Sequence, residues 1–249
     1  MIINQMFGVS IFASNANYIS LSNDIARSKY LQITSNNIAN INTIGFEEDD
    51  VLFQQVDHTI KHKEKDSFVI AKSSWRNRSP GSLKITNRNL DVAIIGDGYF
   101  KIMTNQGHRY TLNGSMTISA TNILVNNEGM SFLSIEDEEI MLPVGANHIQ
   151  VKENGIIYAD NEEVAQIGVF TFADDTTLMK QGDNLYISTI AANPAIDYTV
   201  LGGALRDSNV NNIKTMANMM ELQRSIEATR QLNGNLTELD KAIITKIIK

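Results

Sequence analysis

The C-terminal segment 209–249 contains no proline and a single glycine, and an apolar repeat runs along its second half. The repeat has spacings of four, three and four residues, typical of a coiled-coil seam, and consists of Leu232, Leu236, Leu239 and Ile243. A helix of this length extends about 60 Å, too far to be covered by a domain of this size. The segment is therefore predicted to be a long helix that needs a partner, with Asn233-Gly234-Asn235 as the place where it would kink or be interrupted.

A second helix is predicted near the N-terminus, over residues 17–40. Apolar residues recur there near the 3.6-residue period of a helix, without glycine or proline, namely at Tyr18, Leu21, Ile25, Ala26, Tyr30, Ile33, Ile38 and Ala39. The apolar stripe is narrow and is surrounded by serine and asparagine. Such a helix would be marginal without tertiary contacts.

Residues 67–189, between the helical ends, are predicted to be antiparallel β-structure. Turn residues recur there about every ten positions, which is typical of an all-β domain. Gly96-Asp97-Gly98 is predicted to be a hairpin turn between two strands, because no phosphate-loop motif accompanies it. Further turns are expected at residues 105–107, 113–114 and 128–129. The charged segment 47–66 is predicted to be a flexible connector.

Composition and charge exclude several function classes. The chain has no cysteine, so disulfides, thiolate metal sites and cysteine nucleophiles are excluded. A net charge of −7 argues against a general nucleic-acid or anionic-membrane surface. The N-terminal run has no basic residue before Arg27 and is broken by polar residues, so neither a secretory signal nor a membrane span is expected.

The candidates for chemistry are weak. His58 and His62 stand four residues apart in a charged segment without a complete ligand set, so solvated histidines are favoured over a metal site. The acids at 136–139 lack the spacing of a calcium loop and are predicted to form a solvated turn. Nothing marks the acids at 174–175 as buried, and Trp75 is interpreted as a packing or turn anchor. Neither an enzyme nor a cofactor is therefore expected.

Three segments resemble signatures of the bacterial flagellar rod and hook protein family. SNNIANINTIGF (residues 35–46) resembles the N-terminal signature NN-[IL]-AN-x-NTxGF. LDVAIIGDGYFKI followed by RYTLNGSMTI resembles the central pattern, and GDNLYIST with GGALRDSNVNNIKTMANMMELQRSIEATRQL resembles the C-terminal signature. The three occur in order and together span most of residues 16–249. Within the family, the length and NYISLSNDIARSKYLQ resemble the proximal-rod members more than the distal-rod members.

The resemblance implies a structural subunit of the basal-body rod, with a distal-rod or hook-type axial protein as the alternative. It implies an α+β fold in which a mainly-β central domain is flanked by long terminal helices that pair as an inner helical layer around the rod channel. The expected divisions are a helical rod-core segment 1–46, the connector 47–66, a β-rich outer domain 67–205 and a coiled-coil-like helix 206–249.

The resemblance also implies partners and a location. The termini would be disordered before assembly, so the flagellar type III apparatus could export the unfolded chain from the cytoplasm without a cleaved signal. In the periplasmic rod, the chain would contact other rod proteins and copies of itself in a helical array that does not close. Neither nucleic acid nor direct membrane insertion is expected.

Assembly contacts are expected in both terminal signatures. Gly45 is expected to stop the helix with a positive φ and Phe46 to fix the exit of the chain, while the asparagines bond chain ends and neighbouring subunits. The expected contacts in the N-terminal signature are Asn36, Asn37, Ala39, Asn40, Thr43, Gly45 and Phe46. Those in the C-terminal signature are Ser208, Asn209, Val210, Met219, Gln223, Arg224, Leu232 and Leu239.

The chain departs from the family pattern at four places. An acidic run at 47–50 follows Gly45-Phe46, where the family commonly has a basic residue. Arg206-Asp207 replaces the usual acid, Ile226 stands where an aromatic is common, and residues 1–14 precede the usual start as an extension or a misassigned initiation site. Two other function classes compete: an enzyme or ligand-binding β domain with helical oligomerisation ends, and a secreted filament or adhesin protein outside the flagellum.

Overall fold

The computed structural model describes residues 2–59, 65–146, 148–173 and 177–247, and the chain divides into two compact units. The first unit comprises Met1–Ala39, Glu48–Arg78 and Asn211–Lys249, and the second comprises Asn40–Glu47 and Ser79–Val210. The described residues form two helices and eighteen strands. The predicted α+β class with a mainly-β middle is therefore confirmed.

The first unit contains both helices and a two-stranded sheet. Its elements are α1 (Ile2–Ala39), β1 (Asp49–Thr59), β2 (Lys65–Arg76) and α2 (Asn212–Ile247). Helix α1 begins well before the predicted residue 17. Helix α2 continues through residues 233–235 without an interruption, and the Thr237 hydroxyl donates to the Asn233 carbonyl at 2.8 Å.

The prediction of a flexible connector at 47–66 is wrong for the described part of that segment. Strands β1 and β2 pair antiparallel from Asp49 opposite Arg76 to Thr59 opposite Lys65, with a bulge where Lys72 is inserted in β2. The prediction relied on the charged residues of the segment and overlooked Val51, Leu52 and Phe53, which have high β-propensity. The charge of a segment indicates that it is solvated. Whether the segment forms a strand depends on the second strand with which it can pair.

The second unit contains sixteen strands, all paired antiparallel. They are β3 (Leu83–Ile85), β4 (Val92–Gly96), β5 (Tyr99–Thr104), β6 (Gly107–Thr111), β7 (Thr117–Ile118), β8 (Leu124–Val125), β9 (Ser131–Phe132), β10 (Ile149–Val151), β11 (Ile156–Ala159), β12 (Glu162–Gln166), β13 (Val169–Thr171), β14 (Leu178–Gly182), β15 (Leu185–Ser188), β16 (Asn193–Pro194), β17 (Tyr198–Gly202) and β18 (Ala204–Arg206). The largest sheet has the order β14-β15-β6-β5-β9-β8-β7, and β13 pairs with both β5 and β16. The others are β10-β11-β12, β17-β4 and β18-β3.

The turn at Gly96-Asp97-Gly98 is not a hairpin. The strands on either side of it belong to different sheets, because β4 pairs with β17 whereas β5 pairs with β6, β9 and β13. Gly96 has a φ of +104°. The local sequence predicted both strands and the turn correctly, but the pairing is decided by β17, far away in the chain. The turns predicted at residues 105–107 and 128–129 do connect paired strands, β5 to β6 and β8 to β9.

Two apolar clusters fill the second unit. The first includes the fully buried Phe100 and Phe132, whose rings meet edge to face at 6.0 Å. The second is aromatic, with contacts from Tyr110 to Phe172 at 4.8 Å and from Tyr99 to Tyr186 at 5.4 Å. The aromatic cluster matters for the N-terminal signature, because Tyr186 also reaches the segment 40–47.

Candidate functional site

The end of the N-terminal signature and the start of the C-terminal signature meet in the second unit. The Gly45 N–H donates to the Arg206 carbonyl at 2.7 Å, and the Asn209 N–H donates to the Phe46 carbonyl at 3.2 Å. The side-chain amide of Asn209 donates to the Ser79 carbonyl at 2.8 Å. Three segments that are far apart in sequence are thus joined by two backbone hydrogen bonds and by the side-chain amide of Asn209. We call this set of five residues the signature junction.

Gly45 occupies a position that only glycine fits well. Its φ is +69°, as predicted, and a Cβ placed on it would lie 2.6 Å from the Leu112 carbonyl carbon and 2.8 Å from the Leu112 Cβ. The backbone of the signature therefore passes directly against the strand that ends at Thr111. A side chain at this position would have to displace backbone as well as adopt a left-handed conformation.

The predicted role of Gly45 as the helix stop is wrong. Helix α1 already ends at Ala39, and a turn follows in which the Thr43 N–H donates to the Asn40 carbonyl at 3.1 Å. The Thr43 hydroxyl also donates to the Asn40 side-chain oxygen at 3.1 Å. Short polar side chains that bond the nearby backbone compete with helix formation, so Asn40 and Thr43 end the helix before Gly45 is reached.

The acidic run after Gly45-Phe46 begins inside the fold. Glu47 is only 4% exposed and its carboxylate accepts a hydrogen bond from the Tyr186 hydroxyl at 3.2 Å. The Lys180 ammonium donates to the Glu47 carbonyl at 2.5 Å and lies 4.3 Å from the centre of the Phe46 ring. The Asn184 amide donates to the Ile44 carbonyl at 2.7 Å. The first acid of the run, Glu47, therefore has partners within the chain.

No role was predicted for Lys180, Asn184 or Tyr186. They lie on the β14–β15 hairpin, whose sequence contains the turn-forming pair Asp183-Asn184, and both of these residues have positive φ. That signal identifies a turn. It gives no information about the remote segment that the turn contacts.

In the first unit, Asn37 holds the start of β1. Its side-chain amide donates to the Asp49 carbonyl at 2.7 Å, and its side-chain oxygen accepts from the Asp49 N–H at 3.1 Å. Asn37 thus pairs with Asp49 as a neighbouring strand would, and it is buried. The Glu48 carbonyl accepts from the Asn77 N–H at 2.8 Å, so the backbone of this segment also fixes the base of the hairpin.

The two helices and β1 meet around Tyr30. The Tyr30 ring packs edge to face on Phe53 at 5.7 Å, and the Asn218 amide of α2 approaches the Tyr30 hydroxyl at 3.5 Å. One turn earlier on α1, Arg27 donates to the Thr229 hydroxyl at 2.5 Å. Burial raises the pKa of the Tyr30 phenol above its ordinary value, and nearby carboxylates, Asp50 first among them, raise it further.

The predicted contact residues separate into two groups. One group is buried, or makes a hydrogen bond described above or within the turn at 208–210: Asn37, Asn40, Thr43, Gly45, Phe46, Ser208, Asn209 and Val210. The other group is exposed on the helices, apart from the half-buried Met219: Asn36, Ala39, Met219, Gln223, Arg224, Leu232 and Leu239. Contact of either group with a neighbouring subunit stays a prediction.

The predicted coiled-coil seam is uncovered where its side chains are described. Leu232 is 62% exposed and Leu239 is 59% exposed. The side chains of Leu236 and Ile243 lie outside the described residues. Two large apolar side chains on one stripe of α2 are therefore in contact with solvent in the single chain.

The remaining candidates for chemistry form no site among the residues that the structure describes. His62, the His58 side chain and the acids at 174–175 lie outside the described residues. The acids at 136–139 form the predicted exposed turn, in which Asp137 pairs with Lys101 at 2.6 Å. Across the described ranges, no three His, Asp or Glu residues are placed to share a metal ion. Neither helix, in its described part, has a stretch apolar enough to cross a membrane.

Comparison with known proteins identifies the family. Three family models match successive parts of the chain: a flagella basal body rod protein model over residues 18–46, a flagellar hook protein FlgE/F/G D1 domain model over 93–159, and a flagellar basal body rod FlgEFG C-terminal model over 201–244.

Individual relatives match over nearly their whole length. The flagellar basal-body rod protein FlgF of Caulobacter vibrioides is 31% identical over 241 residues, covering 94% of this chain and 98% of that protein. FlgF of Rhizobium meliloti is 32% identical, with 92% and 96% covered, and the rod protein FlgG of Bacillus subtilis is 30% identical, with 86% and 92% covered. The chain therefore belongs to the flagellar basal-body rod protein family.

Proposed function

We propose that the chain is a structural subunit of the flagellar basal-body rod, of the FlgF type and in its proximal part. The observation that carries this proposal is the uncovered apolar stripe on α2, which includes Leu232 and Leu239, in a chain that matches rod proteins over more than nine-tenths of its length. Such a stripe is suited to packing between subunits. Family membership supports a structural rather than a catalytic role. The distal rod is the second candidate, because a FlgG protein is nearly as similar.

The first unit would supply the inner helical layer of the rod and the second unit the β-rich outer domain. The contacts of Arg27 with Thr229 and of Tyr30 with Asn218 support a pairing of α1 with α2. Burial of a leucine side chain contributes about 1.5–3 kcal/mol, so covering Leu232 and Leu239 in neighbouring subunits would favour assembly strongly. The exposed Asn36, Ala39, Gln223 and Arg224 would add polar and close contacts at the same surface.

The terminal helices would order only when the subunit joins the rod. Their exposed apolar stripes make them marginal in a single chain, and a disordered terminus suits export of the unfolded chain through the flagellar type III apparatus without a cleaved signal. The ordering free energy would then come from burial in the rod, as in other coupled folding reactions. The partners would be further copies of this chain and other rod proteins.

Deletion of residues 212–249 is expected to abolish swimming and rod assembly, because it removes α2. The deletion leaves every residue of the signature junction in place. The measurement is complementation of a null strain on soft agar, together with electron microscopy of basal bodies. Circular dichroism should still show the β signal of the second unit. A matched control is Val144→Ser, at an exposed site of that unit, which should swim normally. Swimming restored by the truncated chain would refute the role of α2.

Titration of Tyr30 tests whether the first unit is disordered before assembly. In the folded unit, burial holds the phenol protonated above its ordinary pKa of 10.0. A disordered terminus removes that burial, so in the free monomer Tyr30 is expected to ionise near 10.0. The measurement is the tyrosinate absorbance of the free wild-type chain minus that of Tyr30→Phe. A difference step raised above the ordinary pKa would show that the unit is already folded in the monomer, and disorder before assembly would be wrong.

A further inference from the structure

We propose that the uncovered face of the β1–β2 hairpin binds the exposed face of α2 from a second copy of this chain. The inference rests on the proposed rod function and names the partner of one of its surfaces. It follows from the strand register, the exposure of apolar side chains on both elements and the positions of two charges.

The hairpin has one covered face and one uncovered face. Side chains alternate along a strand, and Val51 and Phe53 share the face that lies against α1, where Val51 is buried and Phe53 contacts Tyr30. The register places the alternate residues of both strands on the opposite face. That face carries Asp50 and Trp75 at one end, then Leu52 and Ser73, then Gln54 and Ile70, and finally Val56.

The uncovered face is apolar and accessible in the single chain. Four of its apolar side chains are described, Leu52, Val56, Ile70 and Trp75, and they are between 39% and 51% exposed. Trp75 was predicted from the sequence to be a packing or turn anchor. It is the most exposed of the four, so it does not act as a packing anchor within the chain. A two-stranded sheet with one open apolar face gains stability when another element packs on it.

Helix α2 also has two faces. Thr215 and Leu222 are buried and lie on one side of the helix. The opposite side carries Ile213, Met216 and Met220, spaced three and four residues apart, and these are 84%, 45% and 56% exposed. Arg224 is also exposed and lies on the same side of the helix, one turn beyond Met220.

The two faces match in length. From Leu52 to Val56 the strand advances about 13 Å at 3.3 Å per residue. From Met220 back to Ile213 the helix advances about 10 Å at 1.5 Å per residue. An apolar helix stripe of this length can therefore lie along the apolar part of the hairpin face.

The two faces also match in charge. Asp50 lies about 7 Å beyond Leu52 along the strand, and Arg224 lies about 6 Å beyond Met220 along the helix. In one direction of docking, the apolar side chains of α2 therefore lie on the apolar side chains of the hairpin, and the Arg224 guanidinium lies next to the Asp50 carboxylate. The guanidinium would also reach Trp75, the cross-strand neighbour of Asp50, and Arg is favoured over aromatic rings. In the reverse direction Asp50 and Arg224 lie at opposite ends of the contact and cannot pair.

A second copy is the occupant because one chain carries both complementary surfaces. A contact between two different patches of identical chains is heterologous, and repetition of such a contact generates an open helical array. The same contact therefore provides the growth step that a rod subunit needs. The alternative partner is a helix from another rod protein. The experiment below distinguishes this partner from a second copy of the chain.

The test uses the absence of native cysteine. Two copies are expressed together in a null strain, one with Gln54→Cys and the other with Met216→Cys, which the proposed alignment places opposite each other, so that a disulfide can form only between chains. Oxidation of purified basal bodies is expected to yield the mixed dimer on a non-reducing gel. The matched control replaces Met216→Cys by Lys214→Cys, which is exposed but lies on a different side of α2, and its yield should be about tenfold lower because the sulfur atoms are too far apart. Equal yields, or cross-links only to other rod proteins, would overturn the proposal.

A charge exchange tests the orientation. Asp50→Arg and Arg224→Asp should each lower the mixed-dimer yield and the swimming rate, because each places like charges together. The double variant restores an opposite pair and should recover most of both. Failure of the double variant to recover the yield would overturn the Asp50–Arg224 pairing. If deletion of α2 abolishes rods but the expected mixed dimer does not form, this inference fails while the proposed function stands.

Discussion

Replacement of Gly45 by alanine is expected to destabilise the second unit by about 3 kcal/mol, from a left-handed backbone at a non-glycine residue and from overpacking. The φ of +69° accounts for about 1–2 kcal/mol of this. The rest comes from the new Cβ, which would lie 2.6 Å from the Leu112 carbonyl carbon. Backbone cannot rotate away as a flexible side chain can, so the segment 40–47 must shift. That shift weakens the 2.7 Å hydrogen bond from the Gly45 N–H to the Arg206 carbonyl.

The measurement is urea unfolding of the full chain followed by near-ultraviolet circular dichroism of the tyrosines, since Tyr99, Tyr110 and Tyr186 all lie in the aromatic cluster of the second unit. Gly129→Ala is the matched control. Gly129 also has a positive φ, +82°, but no atom lies within 4 Å of a Cβ placed on it. This control isolates the backbone term, and its expected loss is about 1–2 kcal/mol. Equal losses for the two variants would contradict the close approach of the signature to Leu112.

Local sequence patterns were sufficient for the features that depend on neighbouring residues. The repeat through Leu232 and Leu239 predicted α2, and the apolar runs around Gly96-Asp97-Gly98 predicted β4 and β5. The positive φ of Gly45 also followed from its place in the signature. Each of these features is set by residues within a few positions of each other.

Features that depend on a remote partner were not predictable in this way. β1 was missed because its partner β2 determines it, and the turn at 96–98 was assigned to a hairpin because β17 was not considered as the partner of β4. The burial of Glu47 depends on Tyr186. No periodicity in the segment 47–50 contains that information.

The family signature therefore combines two kinds of residue. Asn37, Gly45 and Asn209 have partners or close approaches within the chain, which set the backbone of the signature. Arg224 and Leu232 are exposed and are the side of the signature available to other subunits. Substitutions in the first group should act through folding of the subunit. Those in the second should leave the fold intact and act on assembly.

Asn37→Ala is expected to release the start of β1. The substitution leaves both the N–H and the carbonyl of Asp49 without the amide that pairs with them. Loss of two hydrogen bonds at a buried side chain costs about 2 kcal/mol, which corresponds to about thirtyfold faster exchange of the Asp49 amide hydrogen. Swimming should fall as well, because the hairpin carries the surface proposed to receive α2. The measurement is hydrogen exchange of the peptide containing Asp49 in purified basal bodies, where the first unit is assembled.

Two further variants make the result specific to the paired amide. Asn37→Asp keeps an oxygen that can accept from the Asp49 N–H but loses the donor to the Asp49 carbonyl, so its exchange rate should lie between those of the wild type and Asn37→Ala. Gln32→Ala removes an exposed amide from the same helix and should change stability by less than about 0.5 kcal/mol. If Asn37→Ala and Gln32→Ala gave the same exchange rate at Asp49, the side chain of Asn37 would not be what holds β1. An effect of Asn37→Ala on swimming with unchanged exchange would instead place Asn37 among the residues that contact neighbouring subunits, as the sequence first suggested.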